Sequence, residues 1–106
     1  MAESRFSITE DKSDSKTGKL IIKGPVSAAN ADILNNTIEK VLKSECKCIV
    51  LNMREVSFLA SGGIRVLLKY HKQSKSLNFS FHIEAPSENV RNVLGMVALD
   101  EMLLKK

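Results

Sequence analysis

Ser61 follows the segment Val56-Ser57-Phe58-Leu59-Ala60 and precedes Gly62, Gly63 and Ile64, so an apolar strand ends and an amphipathic helix opens around one hydroxyl. A helix N-terminus leaves backbone N–H groups without partners and carries partial positive charge, so a phosphate attached there is stabilised. The hydroxyl has three possible uses. It could cap the helix, contributing about 1 kcal/mol. It could accept a phosphate, the glycines keeping neighbouring side chains from covering it. It could also act as a nucleophile, for which His71 and His82 are the available bases. Leu59-Ala60-Ser61-Gly62-Gly63 lacks the G-x-S-x-G elbow of serine hydrolases. His71 falls on the apolar stripe of its helix, as a satisfied boundary residue, and His82 is expected to be exposed on its strand. No catalytic residue is assigned, and the chain is read as a non-enzyme.

Other reactive residues offer less. Cys46 and Cys48 form a C-x-C pair with no second Cys or His cluster nearby, so neither zinc nor redox chemistry is indicated. They are read as one surface thiol and one core-filling thiol. No Gly-rich phosphate loop of the Walker type is present, and no cofactor or metal is assigned. The net charge is +4. The cations of Arg65, Lys69, Lys72, Lys75 and the terminal Lys105-Lys106 lack interleaved aromatics, which fits a solvated face and not a nucleic-acid footprint. The longest apolar run, Cys48 to Leu51, is far shorter than the roughly 18 residues a membrane span needs. Met1 to Arg5 lacks the apolar core of a secretory signal, so a cytoplasmic location is expected.

The elements that must hold Ser61 follow from periodicity. Phe6 and Ile8 alternate with polar neighbours as a short first strand, and a polar turn from Asp11 to Gly18 leads to a second strand over Lys19 to Lys23. After Gly24-Pro25, Ser27 is placed to cap a helix from about Ala28 to Lys43, whose stripe is Ala31, Leu34, Ile38, Val41 and Leu42. Cys48 to Met53 is a nearly continuous apolar run, suited to a central strand reached through a helical crossover. Ile64, Leu67, Leu68 and His71 make the inner face of a second helix, with Arg65, Lys69 and Lys72 on its wet face. Leu77, Phe79, Phe81 and Ile83 alternate with polar residues as a fourth, edge strand. Pro86-Ser87 opens a third helix with Val90, Val93 and Leu94 inward and Gly95 placed to stop it, and Leu99, Met102 and Leu103 suggest a short last helix.

With 106 residues, 43% of them hydrophobic and 26% charged, the chain suffices for one self-supporting core, and residues 1–106 are read as one domain. The predicted class is α/β: a mixed sheet of four main strands, the first pair antiparallel and the rest parallel, with three to four helices packed against it and right-handed crossovers.

Three segments resemble the STAS domains, the family named for sulphate transporters and anti-sigma factor antagonists, over nearly the whole chain. Gly24-Pro25-Val26-Ser27-Ala28-Ala29-Asn30 resembles the turn before the family's first helix, and Cys48-Ile49-Val50-Leu51-Asn52-Met53 its central strand. Val56-x-Phe58-Leu59-Ala60-Ser61-Gly62-Gly63-Ile64-x-Val66-Leu67 resembles its V-x-F-hydrophobic-D-S-S-G-hydrophobic-x-hydrophobic-L signature. The sequence departs from that signature: Ala60 stands where the family has an acid, Gly62 where it has a second serine, Asn52 where it has a strand-ending aspartate, and Ser27 where an acid is frequent.

The resemblance implies a stand-alone anti-sigma factor antagonist working by partner switching. Unphosphorylated, it would bind an anti-sigma factor that is also a serine kinase of the GHKL type. Phosphorylation at Ser61 would release that partner, and a serine phosphatase would reverse the change. The implied partner surface comprises Ser27, Asn52, Ala60, Ser61, Gly62, Gly63, Arg65 and Lys69, on a monomer or weak dimer. The alternative is a constitutive, unphosphorylated STAS subunit of a signalling complex or a lipid-transport ABC machine, which the missing acids favour.

Overall fold

Alternation along one strand sets the two faces of the sheet. In the computed structural model, which describes residues 6–11, 16–44 and 47–96, β2 (Thr17–Val26) turns Leu20, Ile22 and Val26 inward, each fully buried, and Lys19, Ile21 and Lys23 to the other side. It is flanked by β1 (Ser7–Asp11) and β3 (Cys48–Leu59), and β4 (Ser80–Glu84) pairs with the far side of β3. β1 is antiparallel to β2, whereas β2–β3 and β3–β4 are parallel, in the order β1-β2-β3-β4. The helices are α1 (Ala28–Leu42), α2 (Ser61–Leu77) and α3 (Glu88–Met96). This is the mixed α/β sheet that the sequence predicts, with β4 at its edge.

The register places Leu20, Leu51 and Ile83 in one row across β2, β3 and β4, all at 0% exposure. Leu34 and Ile38 of α1, Leu67 and Tyr70 of α2, and Val90 and Leu94 of α3 join the same core. On the other face, in-register Lys23 and Glu55 pair at 3.5 Å, and Lys19 reaches past β3 to Glu84 at 2.9 Å.

Element ends differ from the periodicity in informative ways. α1 ends at Leu42 with Lys43 as its C-cap, and Ser27 caps it by accepting the Asn30 N–H at 3.3 Å. Gly24-Pro25 is not a turn. It lies inside β2, where Gly24 has φ 85° and the register with β3 shifts between Ile21 and Lys23 and again between Gly24 and Pro25. A bulge there accommodates the proline, which has no ladder N–H to donate. β3 runs on beyond Met53 to Leu59 through the charged Arg54-Glu55 pair, where its register with β2 shifts: Asn52 pairs with Ile21 and Glu55 with Lys23, so β3 carries an extra residue there.

Leu77 belongs to α2 and not to β4. Asn78 adopts the left-handed conformation (φ 63°) that ends the helix, leaving Leu77 64% exposed. Gly95 does not stop α3, which continues through it to Met96 in right-handed conformation. Ser87 does start that helix: its Oγ accepts the Val90 N–H at 3.2 Å and donates to the Val56 carbonyl at 2.7 Å, fastening α3 to β3. Cys46 and the predicted last helix around Leu99, Met102 and Leu103 lie outside the described residues.

Candidate functional site

α1 and α2, which follow β2 and β3, begin at the same end of the sheet. Val26 closes β2 beside Leu59, the last residue of β3. The Ala60 N–H then donates to the Val26 carbonyl at 2.9 Å, holding Ala60 extended (ψ 167°) as the N-cap of α2. Ser61 is thus the first residue inside the helix and not its cap. Ala60 supplies no side-chain cap, and Ile64 is the residue whose N–H reaches back to the Ala60 carbonyl at 3.1 Å. The Ser61 side chain is exposed, and no hydrogen bond engages its hydroxyl among the described residues. Capping, one of the three uses considered for this oxygen, is therefore not what it does here.

The two glycines serve packing. A Cβ on Gly63 would stand 2.7 Å from Leu59 Cδ1 and 2.8 Å from Val26 Cγ1, so α2 sits directly on the strand ends only because that side chain is missing. A Cβ on Gly62 would meet Ala31 Cβ at 3.4 Å and the Ala28 Cα at 3.5 Å. Further along, Lys69 Nζ donates to Asn35 Oδ1 at 2.9 Å, and the Tyr70 hydroxyl lies 3.0 Å from both the Asn35 carbonyl and its Oδ1. These contacts, Ala28 and Ala31 against Gly62 and Asn35 against Lys69 and Tyr70, show α1 and α2 running side by side in the same direction.

The structure therefore brings together Ser27, Ala60, Ser61 and Gly62 at the head of the two helices, with Gly63 buried beneath them and Arg65 exposed one turn further on. It does not bring Asn52 to them. Asn52 is level with Ile21 and Glu84, its Oδ1 accepting the Arg54 N–H at 3.1 Å, and the strand from Asn52 to Leu59 measures about 23 Å at ~3.3 Å per residue. Lys69 is partly committed to the helix seam, its ammonium also lying 5.0 Å from the Tyr70 ring centroid. Phe58, three residues before Ser61 and 54% exposed, is a neighbour that the periodicity did not single out. Its signal was the aromatic in Val56-Ser57-Phe58-Leu59, visible once the strand is carried past Met53.

Neither histidine is placed to serve Ser61. His71 lies ten residues along the same helix, about 15 Å of rise away. It is 8% exposed, and neither ring nitrogen has a hydrogen-bond partner among the described residues, so it is a buried residue and not a satisfied boundary one. His82 is half-buried on β4, not exposed. Burial, with the Lys75 charge adding to it, pushes the His71 imidazole below its ordinary value of 6.5. The unfolded chain then takes up the proton more readily than the folded one. His71's contribution is fully present above about pH 6.5 and is lost as the pH falls toward its lower folded value. The urea midpoint is expected to be lower at pH 5 than at pH 7.5, and His71→Leu to reduce that difference. An unchanged difference in the variant would exclude His71 as its source.

A family model for the STAS domain matches residues 10–106. Among solved structures, the chain is similar to the anti-sigma factor antagonist SpoIIAA in its unphosphorylated form, with TM-score 0.80 and 16% identity over 94% of this chain and 88% of that one. It is also similar to the Bacillus cell fate determinant SpoIIAA in the phosphorylated form, with TM-score 0.74 and 15% identity over 94% and 91%. An anti-sigma factor antagonist from Mycobacterium paratuberculosis matches with TM-score 0.80 and 21% identity over 93% and 83%. At these identities the likeness is one of fold. No curated protein matches the chain in sequence. The match spans nearly the whole chain and agrees with the sheet order: the chain belongs to the STAS-domain family.

Proposed function

We propose that the chain is an anti-sigma factor antagonist whose partner is released when Ser61 is phosphorylated. The observation that carries this reading is the state of that hydroxyl: exposed, inside the first turn of α2, and engaged by no capping bond. The likeness to SpoIIAA in both its unphosphorylated and phosphorylated forms supports it, since the fold accommodates both. The partner is an anti-sigma factor with serine-kinase activity of the GHKL type, acting in the cytoplasm, and a serine phosphatase restores the binding form. Its footprint centres on Ser61, with Ser27, Ala60, Gly62 and Arg65 around it and Phe58 as an apolar contact.

A phosphate adds roughly −1.5 to −2 charges and three acceptor oxygens at pH 7. At a helix N-terminus that charge is locally stabilised, so the modified domain stays folded and the change lies in the interface. Ser61→Asp is expected to weaken the complex with the purified anti-sigma kinase about ten-fold or more, while Ser61→Ala, which removes only the hydroxyl, retains it. Calorimetric titration reads both. Undiminished binding by Ser61→Asp would refute the switch and favour a constitutive STAS subunit.

A further inference from the structure

We propose that the outer face of α2 docks an acidic surface of a partner protein, with Ser61 at the head of that face. The inference deepens the reading of Ser61 and rests on it only for the sign of the switch. α2 carries Arg65, Lys69, Lys72 and Lys75 and no Asp or Glu. At about 100° per residue, Ser61, Arg65, Lys69 and Lys72 fall within roughly 80° of one another, opposite the buried Gly63, Leu67, Tyr70 and Ser74, and Lys75 flanks them. All four cations are exposed. The surface ion pairs Lys19–Glu84 and Lys23–Glu55 belong to the sheet. Among the described residues no carboxylate lies within 4.0 Å of an α2 cation. Asp32 and Glu39 of the neighbouring α1 make no such pair either.

A helix face about 21 Å long from Ser61 to Lys75, with four cations and no internal counter-charge, is complementary to carboxylates on another molecule. A second copy of this chain carries the same +4 charge and the same basic face, so two such faces repel one another. The face also lacks what a nucleic acid or a membrane would use. The aromatic of α2, Tyr70, is 1% exposed and lies under Lys69, so no ring is offered for base stacking, and Leu77 at the far end is the helix's single exposed large apolar residue. A phosphate on Ser61 would place about two negative charges at the head of this stripe, one helical turn from Arg65, and repel the carboxylates docked there.

The test uses the full chain as bait in nuclease-treated lysate of its own cells, with Lys72→Glu/Lys75→Glu as the comparison. Both positions are exposed and lie about 16 and 21 Å beyond Ser61. One captured protein is expected to be lost about ten-fold or more in the double variant, and to elute as salt is raised from about 50 to about 300 mM. Once purified, it should cross-link through its Asp or Glu side chains to Lys72 or Lys75 with a zero-length carbodiimide. Capture of that protein within two-fold by the double variant would overturn the proposal. So would an empty wild-type bait, or binding shown only by a DNA duplex or by phosphatidylglycerol vesicles. Loss in the double variant with full retention by Ser61→Asp would refute the phosphate switch and leave the docking face standing; the reverse result would do the opposite.

Discussion

Gly63→Ala is expected to destabilise the domain by about 1–3 kcal/mol, and Gly62→Ala, one residue away, to leave it unchanged or slightly more stable. The two glycines look equivalent in the sequence, but their surroundings are opposite. The methyl on Gly63 would press on Leu59 Cδ1 at 2.7 Å and Val26 Cγ1 at 2.8 Å. Val26 is fully buried at the end of β2 and β-branched, so it has little freedom to turn aside. α2 would have to lift from the strand ends, displacing Ser61 with it. The methyl on Gly62 would meet Ala31 and Ala28 at 3.4–3.5 Å, ordinary contact distances. Replacing glycine by alanine inside a helix is worth up to about 1 kcal/mol. That gain offsets part of the Gly63 cost and stands alone at Gly62. Urea unfolding of the two variants reads the contrast, and equal losses would contradict it.

Leu51→Ala is expected to cost about 2–5 kcal/mol and to lower the thermal midpoint by roughly 10–20 °C. Leu51 sits at the centre of β3, between Leu20 and Ile83 in one cross-strand row, and all three are at 0% exposure. Helices α1 and α2 cover the same core through Leu34, Ile38, Leu67 and Tyr70. Truncation therefore opens a cavity between the sheet and its covering helices, flanked by neighbours on strands whose hydrogen bonds hold their spacing, so the site relaxes little. A loss below about 1 kcal/mol would show that the row packs less tightly than the register implies.

What could be read from the residues was what depends on near neighbours. α1 was legible almost to the residue, because Ser27 offers a cap and Ala31, Leu34, Ile38 and Val41 mark one face, all of it local information. The strands were legible in place but not in length. Gly24-Pro25 reads as punctuation, yet a bulge against β3 carries the strand through it, and that compensation comes from another segment. Leu77 fits both a helical and an alternating pattern, and the left-handed Asn78 decides between them.

The position of Ser61 at the head of α2 was visible in the apolar-to-glycine transition. Its release from capping was not. That follows from the Ala60 N–H reaching the Val26 carbonyl, a contact between residues far apart in the chain. The roles of Gly63 and of Asn52 were hidden for the same reason: one is set by what packs above the strand ends, the other by its level along β3. His71 was placed on the inner stripe by its spacing, but the lack of partners for its ring depends on what surrounds it.

The central claim is that the exposed Ser61 hydroxyl accepts a phosphate in the cell. Intact-mass analysis of the chain isolated from its own cells, with fragmentation to locate any modification, tests this most directly. The account predicts a fraction one phosphate heavier, with the phosphate on Ser61 and on none of the other serines, and absent from Ser61→Ala. A chain that is unmodified in every growth condition in which it is made, or that carries its phosphate on another residue, would contradict it.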